Sequence, residues 1–214
     1  MTTHAQRSPG LLTAMTAIIL VALIVSGIAP YDRATWMLEV TPAAIAVPIL
    51  WATRHRFPLT GLLYVLITLH ALVLIYGGAY TYARVPLGFA LQDWFDLARN
   101  PYDRIGHFFQ GFVPALIARE ILIRGHFVRG QGMRAFLVVC VVLAISASYE
   151  LLEWGVAVYA ADGAVDFLGT QGDPWDTQSD MFLALIGAIT ALVTLSRWHD
   201  RQIERLRNGP TGGN

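Results

Sequence analysis

The 214-residue chain contains no lysine; all fifteen of its basic residues are arginine. It has one cysteine, Cys140, inside an apolar run, which excludes a disulfide within one chain and any cysteine-based zinc site. Charged residues make up only 14% and form no block of like sign, so the basic tract of a nucleic-acid surface is missing and nucleic acid is not an expected partner. HExxH, GxSxG, phosphate-loop and CxxC signatures are absent too, so no specific catalytic motif marks a known type of enzyme. There is no obvious internal repeat, and low complexity is confined to the tail NGPTGGN.

What is present is apolar sequence in long runs. Hydrophobic residues make up 55% of the chain and mean hydropathy is +0.51. Several runs exceed the about 18 apolar residues that mark a membrane span, which argues against a soluble bundle with a fatty core. Six segments are long enough to cross: 11–29, 35–52, 59–80, 104–123, 134–160 and 180–197. The fourth is the most polar, with His107, Gln110, Arg119 and Glu120, and must hide that face against other helices. The first run is longer than the roughly 7–15 apolar residues of a signal peptide, and Pro30-Tyr31-Asp32 is a poor cleavage context, so an uncleaved span is expected.

Orientation follows from the arginines. With the N-terminus inside, eleven arginines and three acids fall on inner faces, against four arginines and twelve acids on outer faces. The expected fold is therefore all-α: a polytopic membrane protein of six transmembrane helices, N-in and C-in. It forms one domain over 1–208 with a flexible tail at 209–214. In VPLGFALQDWFDLARN, Leu87, Leu91, Trp94, Phe95 and Ala98 recur at helical spacing. That predicts a short amphipathic interfacial helix between the third and fourth spans, ended by Asn100-Pro101; a packed lid without lipid contact is the alternative.

Polar groups from three spans converge at one depth. Asp103, Arg104, His107 and Gln110 open the fourth. Glu150 and Glu153 sit one turn apart late in the fifth. Asp176 and Asp180 open the sixth, with Thr177 and Asp180 at capping-box spacing. Ionisable groups in a span need partners, and Arg104, His107 or a cation are the candidates for the two glutamates. One histidine among several carboxylates would suit Mg²⁺, Mn²⁺ or Ca²⁺ better than zinc, with His107, Glu150, Glu153 and Asp180 as candidate ligands. Each group also has a structural reading: helix capping for Asp176 and Asp180, a salt bridge between Arg104 and a glutamate, an interhelical hydrogen bond for His107, packing for His70. Trp154, Trp175, Tyr76, Tyr80 and Tyr82 fit an aromatic belt, and Arg119 with Glu120 fits snorkelling toward the inner interface.

The stretches NPYDRIGHFFQGFVPALIARE, SASYELLEWG and FLGTQGDPWDTQSDMFLALIGA resemble the YjdF-type family of predicted bacterial inner-membrane proteins. The resemblance implies a multi-pass protein of the bacterial cytoplasmic membrane and no particular activity. A more distant likeness, to VanZ-like membrane proteins, rests on Asp103, Arg104, His107, Phe108, Glu150 or Glu153, Asp176 and Gly187; it departs at Asp180, where that group often has Asn. The Gly spacing of the last span differs too, and what the likeness implies, by analogy alone, is a link to tolerance of glycopeptide or lipopeptide antibiotics.

Three functions stay open from sequence. The first is an outer-leaflet site that binds or modifies a lipid or isoprenoid-linked envelope molecule. Glu150 or Glu153 would then be general base or metal ligand, and His107 would carry protons. Arg104 would hold a phosphate, with Asp103, Gln110, Trp175, Asp176 and Asp180 contacting the ligand. The second is a structural or regulatory membrane subunit. The third is a small transporter. Beyond the lipid bilayer no partner and no oligomeric state is legible.

Overall fold

The computed structural model describes residues 9–160 and 170–208. The tail 209–214 and residues 161–169 lie outside them. The described elements are α1 (Pro9–Ile28), α2 (Arg33–Thr53), α3 (Gly61–Ala79), α4 (Pro86–Phe95), α5 (Tyr102–Arg124), α6 (Gln131–Ala160) and α7 (Asp176–Arg207). No strand occurs among the described residues.

Five of these helices are long and apolar enough to cross a membrane. The exception among the long ones is α5, which Asp103, Arg104, Arg119, Glu120 and Arg124 interrupt. It is packed against α3, α6 and α7, so all of these charges but Arg104 are carried inside the bundle. The peripheral helices are inside-out by soluble standards. On α1, Leu12, Met15 and Ile19 face the core while Ile18, Val21, Ile24 and Val25 are exposed. Exposed aliphatic surface of this kind is stable only in lipid.

The six long helices alternate in direction. Leu11 at the start of α1 and Gln202 near the end of α7 both meet the start of α3. Thr60, just before α3, bonds Glu120 near the end of α5. His107 near the start of α5 faces Asp180 near the start of α7 and Glu150 late in α6. The bundle therefore has a His107 end and a Glu120 end, with the first and last described helices meeting at the latter.

Side-chain size sets the closest seam. α5 and α7 run parallel, and a Cβ on Gly111 would strike the carbonyl of Ala184 while one on Gly187 would strike that of Phe108. Ala184, Ala188 and Ala191 line the rest of the contact, all fully buried. Small residues let backbones approach where no hydrophobic effect drives helices together.

Local signals account for the ends. Asp32 caps α2, its Oδ1 accepting the Thr35 N–H at 2.7 Å, and that bond holds the carboxyl below its ordinary range. Pro42 and Pro48 are carried within α2. α4 exists as expected but stops at Phe95 rather than reaching Ala98, because Asp96 turns left-handed at φ 50°. Leu87, Phe89, Trp94 and Phe95 stay exposed, which a packed lid would have covered. Asn100, buried behind α4, donates from Nδ2 to the Val85 carbonyl and accepts the Tyr102 N–H, each at 3.0 Å. α7 is much longer than the 180–197 expected. It begins at Asp176 and runs to Arg207 because its charged last turns still bury His199 and Ile203. The capping box is not formed. Trp175 holds the N-cap position without a side-chain bond, and Asp173 accepts the Trp175 N–H at 2.9 Å, starting the helix one turn early.

The seam makes a direct prediction. Gly111→Val should lower stability by about 1–3 kcal/mol or abolish folding, since backbone cannot yield as a side chain can. Gly155→Ala, where nothing lies within 4 Å of the new methyl, should leave stability unchanged or slightly raised. Thermal melts of the two variants in detergent check this.

Candidate functional site

At the His107 end, helical periodicity decides which side chains meet. Asp103, His107 and Gln110 fall within one narrow stripe of α5, at i, i+4 and i+7. Gln110 Oε1 lies 3.1 Å from His107 Nδ1. An amide oxygen can only accept, so Nδ1 carries the proton. That leaves His107 Nε2 as the other face of the ring, 3.5 Å from Asp103 Oδ1 and 3.8 Å from Asp180 Oδ2. On the Nδ1 side Glu150 Oε1 stands 3.9 Å away.

The cluster is buried and short of donors. His107 is 6% exposed, Glu150 8%, Glu153 9% and Asp180 2%. Glu150 Oε1 and Asp180 Oδ1 are buried without a hydrogen-bond partner among the described residues. Among those residues no arginine pairs with Glu39, Asp103, Glu150, Glu153 or Asp180. Leaving an ionised carboxylate buried and unpaired costs several kcal/mol.

Asp103, His107 and Asp180 each offer one ligand atom, and the three lie within 4.8 Å of one another. Donors about 2.1–2.5 Å from a common hard cation sit about 3–4 Å apart when adjacent, and the 3.5 and 3.8 Å from His107 Nε2 to Asp103 and Asp180 fall in that range. A histidine that donates Nδ1–H to a fixed acceptor and turns Nε2 to the ion is the usual arrangement at such centres. Two carboxylates and one imidazole favour Mg²⁺, Mn²⁺ or Ca²⁺. Of the four expected ligands, His107 and Asp180 fall in this group of three; Glu150 stands beside it, and Glu153 lines the cavity that Asp103 and His107 share.

Glu153 turns toward a cavity of about 180 Å³ together with Glu39, Tyr82, Asp103, His107 and Tyr149. Tyr149 donates to Glu39 at 3.1 Å. Tyr82, expected in an aromatic belt, is buried instead; burial and nearby Glu39 push its phenol well above the ordinary range, so it serves as a donor. His70 lines the same cavity and stacks on Phe109. Glu39, Tyr82 and Tyr149 were not singled out from sequence as site residues. A signal for Glu39 existed: it is the one charge between Arg33 and Arg54 in an otherwise apolar helix.

Other expected site residues are not brought together. Arg104 is 41% exposed and reaches Asp173 at 3.6 Å, not a glutamate. Its Cα is rotated about 100° from that of Asp103, off the cavity side. Trp175 is 67% exposed and outside the cluster. Asp176 pairs with Arg99 at 2.6 Å, and Arg99 also holds Asp173 at 3.5 Å and the Thr170 carbonyl at 2.6 Å. Gln171 completes this lock through two bonds to the Asn100 backbone.

The Glu120 end carries a second cluster. Glu120 is fully buried rather than snorkelling. It accepts from Thr60 Oγ1 at 2.8 Å, from Arg124 at 2.6 Å and from His199 Nε2 at 2.8 Å. Arg119 donates to His199 Nδ1 at 3.3 Å and to Asp200 at 2.7 Å. The guanidinium can only donate, so His199 carries its proton on Nε2, toward Glu120. Every member is satisfied, and the cluster ties α3, α5 and α7 together.

The Arg99 lock is testable. Arg99→Ala leaves Asp176 buried without its cation and should cost about 3 kcal/mol. Arg104→Ala at its exposed pair should cost less than about 1 kcal/mol. Chemical denaturation of each variant in detergent measures the difference.

Residues 11–201 match the model of a protein family described as "Predicted membrane protein (DUF2238)". The chain is 59% identical over 197 residues to the "Inner membrane protein YjdF" of Escherichia coli (strain K12), covering 92% of this chain and 94% of that protein. No solved structure matches. Neither match bears on the VanZ-like pattern.

Proposed function

We propose a function for a chain that belongs to the DUF2238 family of predicted membrane proteins and is a multi-pass protein of the inner membrane: it binds a lipid or lipid-linked envelope molecule through a divalent cation. In this reading all six long helices span, α5 shielded by its neighbours, and both termini lie in the cytoplasm. The Glu120 end carries most of the arginines, among them Arg54, Arg56, Arg124, Arg129, Arg134, Arg197 and Arg201, which supports that end as the inner one. The His107 end then lies at the outer leaflet, and α4 rests on the outer surface with Leu87, Trp94 and Phe95 in lipid.

The observation that carries the proposal is Asp103, His107 and Asp180 within ligand distance of one another, with the second oxygen of Asp180 unpaired. A purely structural cluster resembles the one around Glu120, where every polar atom has a partner. The Asp103–His107–Asp180 group has acceptors in excess and a cavity beside it. The structural reading is instead favoured for Asp173 and Asp176, which Arg99 locks. Transport is disfavoured by the middle of the bundle. His107 and Glu120 are about 20 Å apart along α5. Val113, Ala115, Leu116, Ala184, Ala188 and Ala191 fill the space between with almost no exposure.

Native mass spectrometry of the chain extracted with its own lipids tests the reading, wild type beside Asp180→Asn and Glu150→Gln. Wild type is expected to hold one divalent cation and a lipid-sized adduct, with the cation lost or weakened at least about tenfold in Asp180→Asn. Folded, bare protein in all three samples would overturn it.

A further inference from the structure

We infer that the cleft between α2 and α6 is a lateral portal through which an ethanolamine phospholipid enters the cavity. The inference deepens the reading above and rests on it for the place where the headgroup ends.

Packing leaves this side of the bundle open. α2 packs on α1 and α3, and α6 on α5 and α7, but no comparable packing joins α2 to α6. The two are bridged by the Tyr149 to Glu39 hydrogen bond of 3.1 Å. Outside that bridge lies an open apolar groove of about 430 Å³ along α6, lined by Val141, Ala144, Ile145, Ser148, Tyr149 and Leu152. Inside it lies the cavity that Glu39 and Glu153 line, and Ile145 and Tyr149 belong to the walls of both. An acyl chain has a surface continuous with the bilayer, and its headgroup has the carboxyl groups of the cavity one side chain away. Tyr149 is the latch: rotating its phenol off Glu39 joins groove and cavity and frees a carboxylate at the threshold.

Charge selects the occupant. Glu39, Glu153 and Asp103 line the cavity, no arginine lines it among the described residues, and the chain has no lysine. An anionic headgroup would find neither arginine nor lysine to pair with there, only His70 and His107. A primary ammonium brings three donors to carboxylates in a low-dielectric site, where charge-assisted hydrogen bonds are strong. Phosphoethanolamine is zwitterionic, so its ammonium suits Glu39 and Glu153 while its phosphate suits a cation on Asp103, His107 and Asp180. Phosphatidylglycerol offers only the second match.

The full-length chain in nanodiscs of equal parts phosphatidylethanolamine and phosphatidylglycerol, with Mn²⁺, supplies the test by native mass spectrometry. Wild type is expected to retain one phosphatidylethanolamine in about tenfold preference. Ala144→Trp, at an exposed position, fills the groove and should cut retention about tenfold while Mn²⁺ binding stays at the wild-type level, which also shows the variant is folded. Glu39→Gln together with Glu153→Gln should erase the preference. Equal retention of both lipids by wild type, or undiminished retention in Ala144→Trp, would overturn the portal. Mn²⁺ bound without lipid defeats the portal and leaves the cation centre standing; binding of neither defeats both.

Discussion

The α5–α7 seam governs this protein. α5 carries five charges and is too polar to face lipid, so it is stable in this bundle only where other helices enclose it. Gly111 against Ala184 and Gly187 against Phe108 bring α7 close enough to do so. The same close, parallel approach places Asp180 beside His107 at one end and His199 beside Glu120 at the other. One packing constraint therefore builds both polar clusters.

The clusters use the same chemistry to opposite ends. Around Glu120, arginines, a histidine, a threonine and a carboxylate close on themselves, and a fully satisfied buried network rigidifies the helices it joins. Around His107 the donors run out. Carboxylates from α5, α6 and α7 face one imidazole, and Glu39 and Glu153 continue the acidic wall into a cavity. Proteins keep such locally unfavourable arrangements where function requires them, at a cost offset elsewhere. Here the offset is visible nearby, in the Arg99 lock on Asp173 and Asp176 and in the dry alanine-rich layer below.

Much of this was legible in the residues. Long apolar runs announced the helices, and period-3.6 spacing announced α4. Depth counting brought Asp103, His107, Glu150 and Asp180 to one level before any coordinates. Rotation about the helix axis was harder. Asp103 and Arg104 both lie one turn from His107, yet only Asp103 shares its side of the helix with Gln110, so Arg104 went to Asp173 instead. Thr177 and Asp180 had capping spacing, but Asp173 started the helix earlier and released Asp180 into the cluster. Tyr149 and Tyr82 were hidden because tyrosine near a membrane edge reads as belt. His199 was hidden because nothing in a charged, amphipathic tail indicates that one histidine is buried 79 residues away in sequence from its partner. Kinship with the E. coli protein YjdF supplies the family and the membrane; the activity has to come from the site.

The central claim is that the His107 cluster is built for a positively charged ligand at the expense of stability. The melting temperature of wild type and Asp180→Asn, each with and without Mn²⁺, tests it most directly. Saturating Mn²⁺ at about a hundred times its Kd should stabilise wild type by about 2.7 kcal/mol. The account predicts that Asp180→Asn loses this gain while melting at or above wild type in the absence of metal, since it removes a buried carboxylate whose Oδ1 has no hydrogen-bond partner. A variant that melts well below wild type, beside a wild type that Mn²⁺ leaves unmoved, would show that Asp180 serves the fold alone.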